Sequence, residues 1–370
     1  MLIQRTNSHA HAKGLICLSE FWQTESKVSA HSTRERLHKG SENSPKANII
    51  PQDTRIELSK QAGVSDNTIS RVEKIEEKAP EEVKAKLRSG DISINQAYTN
   101  IKNQERKAEL KKKAEEVAET YIADKLVEII QSDCIEYLKT MNDNSVDLIL
   151  IDPPYYGVVK DGWDNQWKDM DEFLEWCKVW MIESLRILKP TGSFYIWGGV
   201  GEISDTIIRQ KFLLDGIGFH FKDWITWKKS RGMGNRRGWL YTREECLWYV
   251  KDNNNFFWNE YEQYSDEKSE FTTGFSGYDL KSENKRITNV WSDIPEQLGN
   301  KGVLHYTPKP VMAMERIIKA STTEGQLVLD FFGGSGSTGI AARNLNRKCV
   351  LVEKDVNSIN EMKRRLSDGF

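Results

Sequence analysis

The chain has 370 residues, of which 29% are charged, and its mean hydropathy is −0.62. It contains no apolar run long enough to cross a bilayer and no signal-peptide hydrophobic region, so we expect a two-domain protein that is soluble and cytoplasmic. Its five cysteines are scattered singly without metal-ligand spacing, which predicts no metal site and fits a reducing compartment. The net charge of −2 excludes a chain that is basic throughout, but it allows a local nucleic-acid-binding surface.

The first third of the chain is predicted to be an extension followed by a small helical domain. Residues 1–50 show little apolar periodicity, which predicts a poorly ordered extension. Residues 51–102 have helix-turn-helix spacing, in which Gly63 ends one helix and Ser65 caps the next. The exposed face of that second helix can reach bases or phosphates, and its candidate DNA-binding residues are Asn67, Thr68 and Arg71. A helical hairpin that serves only for packing is the alternative.

The pattern changes at residue 103 and again at residue 125. Residues 103–124 are highly charged and are predicted to be a solvated helical connector. From residue 125, apolar strands alternate with amphipathic helices, as in a doubly wound α/β sheet. Residues 146–151 are mostly apolar and β-branched, which predicts a strand buried on both faces of a parallel sheet.

The first candidate site follows this strand directly and consists of Asp152, Pro153, Pro154 and Tyr155. The prolines restrict the backbone, so the Asp152 carboxylate and the Pro153 carbonyl are held as two fixed acceptors beside an aromatic ring. Two such acceptors suit the two N–H groups of an exocyclic amine on a flat ring that stacks on Tyr155. The alternative is a plain strand that ends in a proline turn. Open α/β sheets bind ligands at the carboxyl ends of their strands, which favours the site.

A basic segment between two predicted strands is the main candidate for contact with nucleic acid. Residues 228–243 contain six bases and no acid, interleaved with glycines and aromatics. This composition predicts a loop that grips phosphates and stacks on bases, although a solvated basic loop is the alternative. The flanking strands are predicted at residues 219–227 and 245–250, and the irregular sequence at residues 253–302 is predicted to be an insertion. The six candidate DNA-binding bases are Lys228, Lys229, Arg231, Arg236, Arg237 and Arg243.

The second candidate site surrounds the glycine-rich segment 331–339. This segment follows a predicted strand that ends at Asp330, and it precedes a helix and then a strand that ends at Glu353. Glycines allow a ligand to approach the backbone closely, and the helix N-terminus offers free N–H groups. Glu353 can accept hydrogen bonds from ribose hydroxyls, which indicates a nucleoside cofactor. The dinucleotide fingerprint is also satisfied, but Asp330 would repel a pyrophosphate, so S-adenosylmethionine fits better than NAD.

The order of the two candidate sites is that of a known enzyme family. Residues 152–155, followed later in the chain by residues 330–336, resemble the amino-group DNA methyltransferases of the β arrangement, whose catalytic segment precedes the cofactor loop. The resemblance covers roughly residues 126–365. Further segments of the family match in order at residues 131–134, 227–228 and 305–310.

The resemblance implies a permuted Rossmann-like, S-adenosylmethionine-dependent methyltransferase sheet at residues 125–370, with a target-recognition insertion at about 228–303. It implies catalysis by Asp152, Pro153, Pro154 and Tyr155. The family commonly has proline where Phe331 stands and threonine where Ser337 stands, and we expect these differences to adjust cofactor affinity. The cofactor contacts that the resemblance implies are Asp133, Asp330, Phe332, Gly333, Gly334, Gly336 and Glu353.

The family's cytosine-N4 members usually carry serine at the position of Asp152, so the resemblance favours adenine N6 as the methyl acceptor. Our hypothesis is a site-specific methyltransferase of double-stranded DNA, from a prokaryotic, phage or plasmid context. Residues 51–102 resemble the helical DNA-binding region of ParB-like partition proteins, so a partition-type regulator with an inactive methyltransferase domain is an alternative. The sequence is also compatible with a cytosine-N4 methyltransferase, an RNA or protein methyltransferase and a nicotinamide-dependent oxidoreductase. A homodimer and a companion restriction nuclease are left open.

Overall fold

In the computed structural model the described residues are 56, 59–60, 62–157, 166–200, 205–233, 237–260, 264–268, 283–296 and 308–368. The chain divides into two compact units, Met1–Glu109 and Leu110–Phe370. Among the described residues the first unit contains helices only, whereas the second is built around a sheet. The predicted extension over residues 1–50 lies outside the described residues.

Three helices follow one another from residue 66, and the third continues past the boundary between the units. They are α1 (Asp66–Lys78), α2 (Glu81–Ser89) and α3 (Ile94–Glu119). Gly63 precedes α1 with φ of +64° and Gly90 follows α2 with φ of +79°, a left-handed conformation that glycine adopts at little steric cost. Apolar residues at helical spacing form the core of this unit, which includes Ile69, Val72, Ile75, Leu87, Ala97 and Ile101.

Two details of the helical unit differ from the helix-turn-helix prediction. Ser65 stands at the N-cap position of α1, but its hydroxyl pairs with the hydroxyl of Thr68 at 2.9 Å and makes no capping bond to the backbone. α3 is continuous from residue 94 to residue 119. The division that we predicted at residue 102, between helical domain and connector, therefore falls inside one helix.

The second unit contains ten strands and six helices among its described residues. The strands are β1 (Val127–Gln131), β2 (Val146–Ile151), β3 (Leu188–Gly198), β4 (His220–Met233), β5 (Tyr241–Val250), β6 (Tyr264–Lys268), β7 (Asn284–Arg286), β8 (Val290–Trp291), β9 (Leu327–Asp330) and β10 (Lys348–Glu353). The helices are α4 (Cys134–Thr140), α5 (Met170–Ile187), α6 (Thr206–Ile217), α7 (Val311–Ser321), α8 (Ser337–Asn344) and α9 (Val356–Ser367).

Eight strands form one sheet in the order β1-β10-β9-β2-β3-β5-β4-β8, and β6 pairs with β7 separately. Strands β1, β10, β9, β2 and β3 are parallel, whereas β5 runs antiparallel to both of its neighbours. The chain leaves β9 toward β10 on one side, and it leaves β2 toward β3 on the other. The predicted α/β sheet is therefore confirmed, and its strand order reverses direction between β9 and β2.

Helices cover both faces of the sheet because its central strands bury side chains in both directions. All six residues of β2 are buried. Leu148 and Leu150 belong to the core that includes residues of α7, α8 and α9, whereas Ile149 and Ile151 belong to the core that includes residues of α4, α5 and α6. None of the described helices is long and apolar enough to span a membrane.

The basic segment 228–243 was predicted to be a loop, but most of its described part is a β-hairpin. β4 continues to Met233 and β5 begins at Tyr241, with Lys228 opposite Arg243. The prediction of a loop was therefore wrong at both ends of this segment. It was made because glycines and bases have low strand propensity. Backbone pairing with a neighbouring strand outweighs that local preference here.

Candidate active site

The two candidate sites lie at the same edge of the sheet. β2 and β9 are parallel neighbours, with Ile149 paired to Leu329. Asp330 is the last residue of β9 and Asp152 follows the last residue of β2, so both carboxyl groups stand at adjacent carboxyl ends of strands. Since the strand order reverses between these two strands, this edge is the topological switch point, where open α/β sheets bind ligands.

One pocket is lined by residues from both candidate sites. Asp152 lines one side, and the other side is formed by Asp330, Phe332, Gly333 and Gly334. The two segments are far apart in the sequence, but the parallel pairing of β2 with β9 brings them together. The pocket therefore combines the predicted amine acceptor with the predicted nucleoside loop.

Asp152 is held by two side chains at the wall of this pocket. The Tyr155 hydroxyl donates a hydrogen bond to Oδ1 at 2.6 Å, and the Lys309 ammonium binds Oδ2. Burial and the Asp152 charge raise the pKa of the Tyr155 hydroxyl well above its ordinary value, so this hydroxyl stays a donor at neutral pH. Pro153 is buried, whereas the Asp152 side chain is 29% exposed. The carboxylate is thus oriented and still accessible.

Two charged residues that the sequence analysis did not select complete this cluster. Lys309 precedes Pro310, the N-cap of α7, and is buried. Its ammonium lies 3.3 Å from the Tyr155 hydroxyl and 3.2 Å from Glu244 Oε2. Glu244, in β5, also forms an ion pair with Lys229. Two features of the sequence could have drawn attention to these residues: the adjacent acids Glu244 and Glu245 near the start of an apolar strand, and a lysine between two prolines.

Both central charges of this cluster persist at neutral pH despite their burial. Burial acts to lower the pKa of Lys309, but the charges of Asp152 and Glu244 outweigh it, and the net direction is upward. Burial acts to raise the pKa of Glu244, but the charges of Lys309 and Lys229 outweigh it, and the net direction is downward. Each buried ion is therefore stabilised by ions of opposite sign.

Asp330 forms the base of the glycine-rich side of the pocket. It is 5% exposed, and its carboxylate accepts hydrogen bonds from the Phe332 N–H at 3.0 Å and the Thr338 hydroxyl at 2.7 Å. Burial raises the pKa of Asp330 to about 7, against the opposing effect of these hydrogen bonds. A buried carboxyl group here favours a cationic ligand and disfavours a pyrophosphate. The pocket therefore fits S-adenosylmethionine, which carries a sulfonium and an ammonium group.

The glycine-rich segment has backbone positions where a side chain would be crowded or strained. A Cβ atom on Gly333 would lie 2.6 Å from Met362 Cε and 3.3 Å from the Val352 carbonyl oxygen. Gly336 has φ of +78°, which strains any residue with a Cβ. The segment can thus turn tightly beside α8 and leave its backbone open to a ligand.

Arg365 supports this segment from α9. It is 3% exposed, and its guanidinium donates to the Ser335 carbonyl at 2.5 Å and to the Ser337 hydroxyl at 3.2 Å. These contacts join α9 to the turn that precedes α8. Sequence patterns do not reveal this role, because a basic residue near a helix C-terminus is also expected from the helix dipole.

Glu353 and Asp133 extend the same edge of the sheet beside the glycine-rich segment. Glu353 ends β10, and its Oε2 accepts the Gly334 N–H at 2.9 Å. Asp133 follows β1 and caps α4, with its Oδ1 3.0 Å from the Ile135 nitrogen. Burial raises the pKa of Glu353. Neither residue is among those that line the pocket next to Asp152, and both lie at the carboxyl ends of the neighbouring strands β10 and β1.

The predicted bases of the hairpin differ in their surroundings. Lys228, Arg237 and Arg243 are exposed, whereas Lys229 is turned toward Glu244. The side chain of Arg231 and all of Arg236 lie outside the described residues. Three bases of the hairpin are therefore exposed to an anionic partner, although Arg243 also pairs with Glu245 at 3.1 Å. Lys229 instead belongs to the cluster around Lys309.

The predicted DNA-binding residues of the helical unit lie on or near the surface of α1. Asn67 is exposed and Thr68 is partly buried. Arg71 donates to the Asn95 side chain at 3.2 Å, and its guanidinium lies over the Tyr98 ring at 5.5 Å from the ring centroid. Arg71 is thus held against α3.

Comparison with known proteins gives the family. Residues 146–364 match the N6_N4_Mtase family model, described as DNA methylase. The chain belongs to this DNA methylase family. Its relatives include the type II methyltransferase M.HpaI of Haemophilus parainfluenzae, 32% identical over 248 residues, which cover 65% of this chain and 74% of the relative. The type II methyltransferase M1.MboII of Moraxella bovis is 33% identical over 251 residues, which cover 63% of this chain and 94% of the relative.

A solved structure of similar fold is the PvuII DNA methyltransferase (cytosine-N4-specific). It matches 67% of this chain and 95% of its own with a TM-score of 0.51 and 19% identity, a likeness of fold alone. The part of this DNA methylase that matches the family model includes Asp152, Lys309 and Asp330, and therefore both sides of the pocket. The helical unit lies outside the match, so its DNA-binding role stays a prediction.

Proposed function

We propose that this DNA methylase transfers a methyl group from S-adenosylmethionine to the N6 amino group of adenine within a specific sequence of double-stranded DNA. The observation that carries the proposal is the pocket shared by Asp152 and the glycine-rich segment. It combines an acceptor for an amino group with a loop suited to a nucleoside. The acid at position 152 supports adenine over cytosine, because the resembled cytosine-N4 enzymes usually carry serine there.

The residues of the glycine-rich side are suited to hold the cofactor. S-adenosylmethionine supplies a methyl group that is activated on a sulfonium sulfur. Asp330, with a pKa of about 7, favours a cation in the pocket. Gly333 and Gly334 let the backbone approach the ligand. Glu353 accepts backbone N–H groups but keeps further acceptor capacity for ribose hydroxyls, since a carboxylate has about four lone-pair sites.

The residues of the other side are suited to orient the amino group. Tyr155 and Lys309 occupy one site on each oxygen of Asp152, so roughly two of its four lone-pair sites remain for an N–H of the base. The Pro153 carbonyl accepts the second N–H, and the Tyr155 ring stacks on the base. Two acceptors on one amino group favour a pyramidal nitrogen with its lone pair free to attack. Fixed orientation and fixed electrostatics then supply most of the rate gain.

The reacting adenine has to leave the helix stack to enter this pocket. Enzymes that modify a base extrude the nucleotide at a cost of a few kcal/mol, which the protein recovers through contacts with the flanking DNA. The hairpin of β4 and β5 is suited to this, because Glu245 of β5 pairs with Gly198 at the carboxyl end of β3 and the exposed bases lie beyond that edge. We propose phosphate contacts from Lys228, Arg237 and Arg243.

The helical unit supplies a further DNA contact in this proposal, through Asn67, Thr68 and Arg71 on α1. Because Arg71 lies near the surface, its side chain can exchange the contact with Asn95 for a contact with DNA. A companion restriction nuclease and a homodimer remain predictions.

A methylation assay on genomic DNA tests the proposal. Purified protein is incubated with labelled S-adenosylmethionine and DNA, and the DNA is then digested to nucleosides for mass spectrometry. We expect N6-methyladenine from the wild type. Asp152→Ala should lower the rate about 1,000-fold or more, because the amine acceptor is lost. The control Asp171→Ala, which removes an exposed acid at the start of α5, should leave the rate unchanged.

Each other result of this assay has a definite meaning. N4-methylcytosine as the product would replace adenine by cytosine as the substrate. Cofactor binding without any methylated nucleoside would overturn the proposed function in favour of a DNA-binding regulator with an inactive enzyme domain. Full activity of Asp152→Ala would remove Asp152 from the catalytic site.

A further inference from the structure

A largely buried row of alternating charges leads to the proposed catalytic carboxylate, and its member Lys309 lines the same pocket as Asp152. The row runs from Lys229 through Glu244 and Lys309 to Asp152. Its members come from β4, β5, the segment before α7, and the turn after β2. Among the described residues it joins the basic hairpin to the amine acceptor through ion pairs alone.

Lys309 is the member whose position is hardest to explain by stability. Its side chain is 6% exposed, and removal of an ammonium ion from water costs several kcal/mol even in a favourable environment. It also stands directly before Pro310, the N-cap of α7, and a cation near a helix N-terminus is disfavoured by the helix dipole. The helix gains nothing from a lysine here, and the charges of Asp152 and Glu244 are what offset the cost of burying the ammonium.

Two of the contacts of Lys309 restrain Asp152. Its ammonium binds Asp152 Oδ2 and lies 3.3 Å from the Tyr155 hydroxyl, which itself donates to Asp152 Oδ1 at 2.6 Å. Each oxygen of the carboxylate therefore has a partner, which restrains its rotation. Glu244 Oε2 lies 3.2 Å from the same ammonium, and this ion pair further restrains Lys309. The lone pairs of Asp152 that remain free then have fixed directions.

We propose that Lys309 is a positioning residue for methyl transfer: held by Glu244, it fixes the Asp152 carboxylate in the orientation that receives the amino group of the target base. This role rests on the proposed function, since it concerns the same carboxylate. Without the ammonium, Asp152 keeps Tyr155 as a partner but can rotate. A misplacement of about 1 Å in a reacting group lowers rates about 100-fold.

A structural role alone makes a different prediction, and an ion pair at the other edge of the sheet provides the control. Lys189 binds Asp147 Oδ1 at 2.7 Å, and Asp147 is a buried acid near the amino end of β2. Lys189→Met thus breaks an ion pair between a lysine of β3 and a carboxylate of β2, at the end of β2 that is remote from the pocket. It should lower thermal stability without any change in the rate of methyl transfer.

The experiment compares Lys309→Met, Lys309→Arg and Lys189→Met with the wild type. Single-turnover methyl transfer to a DNA substrate gives the chemical rate, and titrations give the dissociation constants for S-adenosylmethionine and for DNA. We expect Lys309→Met to lower the rate about 100-fold while both dissociation constants change less than about threefold. We expect Lys309→Arg to recover at least about a tenth of the wild-type rate, because it restores a charged donor to Asp152.

The outcomes separate this inference from the proposed function. A wild type that does not methylate DNA would overturn the proposed function and this role together. An active wild type with a Lys309→Met rate within about threefold of it would overturn only the role of Lys309. That role would also be overturned if Lys189→Met lowered the rate equally at equal loss of stability. Should Lys309→Met fail to fold, the methyl-transfer rates of Lys309→Gln, which keeps a neutral donor, and Lys309→Arg are compared instead. Lys309→Gln rates within about threefold of those of Lys309→Arg would then overturn the role of Lys309.

Discussion

Replacement of Asp330 by asparagine tests the most strongly perturbed acid of the pocket. Burial raises the pKa of Asp330 to about 7 from an ordinary value of 3.8. An acid whose pKa is higher in the folded state stabilises the fold below its unfolded pKa, and that stability is lost as the pH rises through the folded pKa. The two values differ by about three pH units, which corresponds to about 4 kcal/mol at 1.4 kcal/mol each.

Asparagine keeps the local hydrogen bonds but cannot ionise. Its oxygen can accept from the Phe332 N–H and its amide can face the Thr338 hydroxyl, in place of the contacts that Asp330 makes. From pH 5 to pH 8 the free energy of unfolding of the wild type should therefore fall relative to Asp330→Asn by about 2.5 kcal/mol. Most of this fall should occur below neutral pH, because Asp330 is ionised in both the folded and the unfolded state at higher pH.

Urea unfolding at a series of pH values, monitored by the fluorescence of buried tryptophans such as Trp180, measures this difference. S-adenosylmethionine gives a second readout, because only ionised Asp330 attracts a cation. Its affinity for the wild type should rise between pH 6 and pH 8, and its affinity for Asp330→Asn should not. A stability difference that stays constant across this range would refute our account of the buried carboxyl group.

Three further substitutions test the loop and the hairpin. Gly336→Ala should lower the free energy of unfolding by about 1–2 kcal/mol through left-handed strain, and it should also weaken cofactor binding in calorimetry. The control is Gly325→Ala, where φ is +77° and the space around the residue is open, so only the strain should remain. Equal cofactor affinities of the two variants would contradict this. Arg365→Met should weaken cofactor binding about tenfold by releasing the Ser335 carbonyl. Arg364→Met, which breaks a contact within α9, should not weaken it. Equal losses of cofactor affinity in the two variants would attribute the effect to the stability of the helix. Lys228→Ala should reduce the slope of log K for DNA against log salt by about 1, and an unchanged slope would remove this residue from the phosphate contacts.

Local patterns in the sequence were enough to find the central strands and the two segments that meet in the pocket. The run at residues 146–151 was recognisable because a strand buried on both faces needs apolar residues at nearly every position. The segments at Asp152 and at residues 331–339 were recognisable because proline and glycine restrict or free the backbone in known ways. These features depend on neighbours in the chain, so they are visible without coordinates.

Other predictions failed or were not made because long-range contacts decide them. Residues 228–233 have a loop-like composition, yet they pair with β5 as a strand. Lys309 was part of a matched family segment, but its partners Asp152 and Glu244 come from distant parts of the chain. The strength of such a buried charge cluster depends on desolvation and on the exact distances between ions, and neither is encoded by local spacing.

The sequence by itself therefore determined the class of fold, the order of the two candidate-site segments, and the residue types that we propose to face an amine and a nucleoside. Only the tertiary structure decided that Asp152 is gripped by Tyr155 and Lys309, that Asp330 is buried deeply enough to titrate near pH 7, and that Lys229 faces inward. The physical reason is that backbone preferences and hydrophobic periodicity act over a few residues. Electrostatic interactions and desolvation depend instead on groups that folding brings together from separate strands.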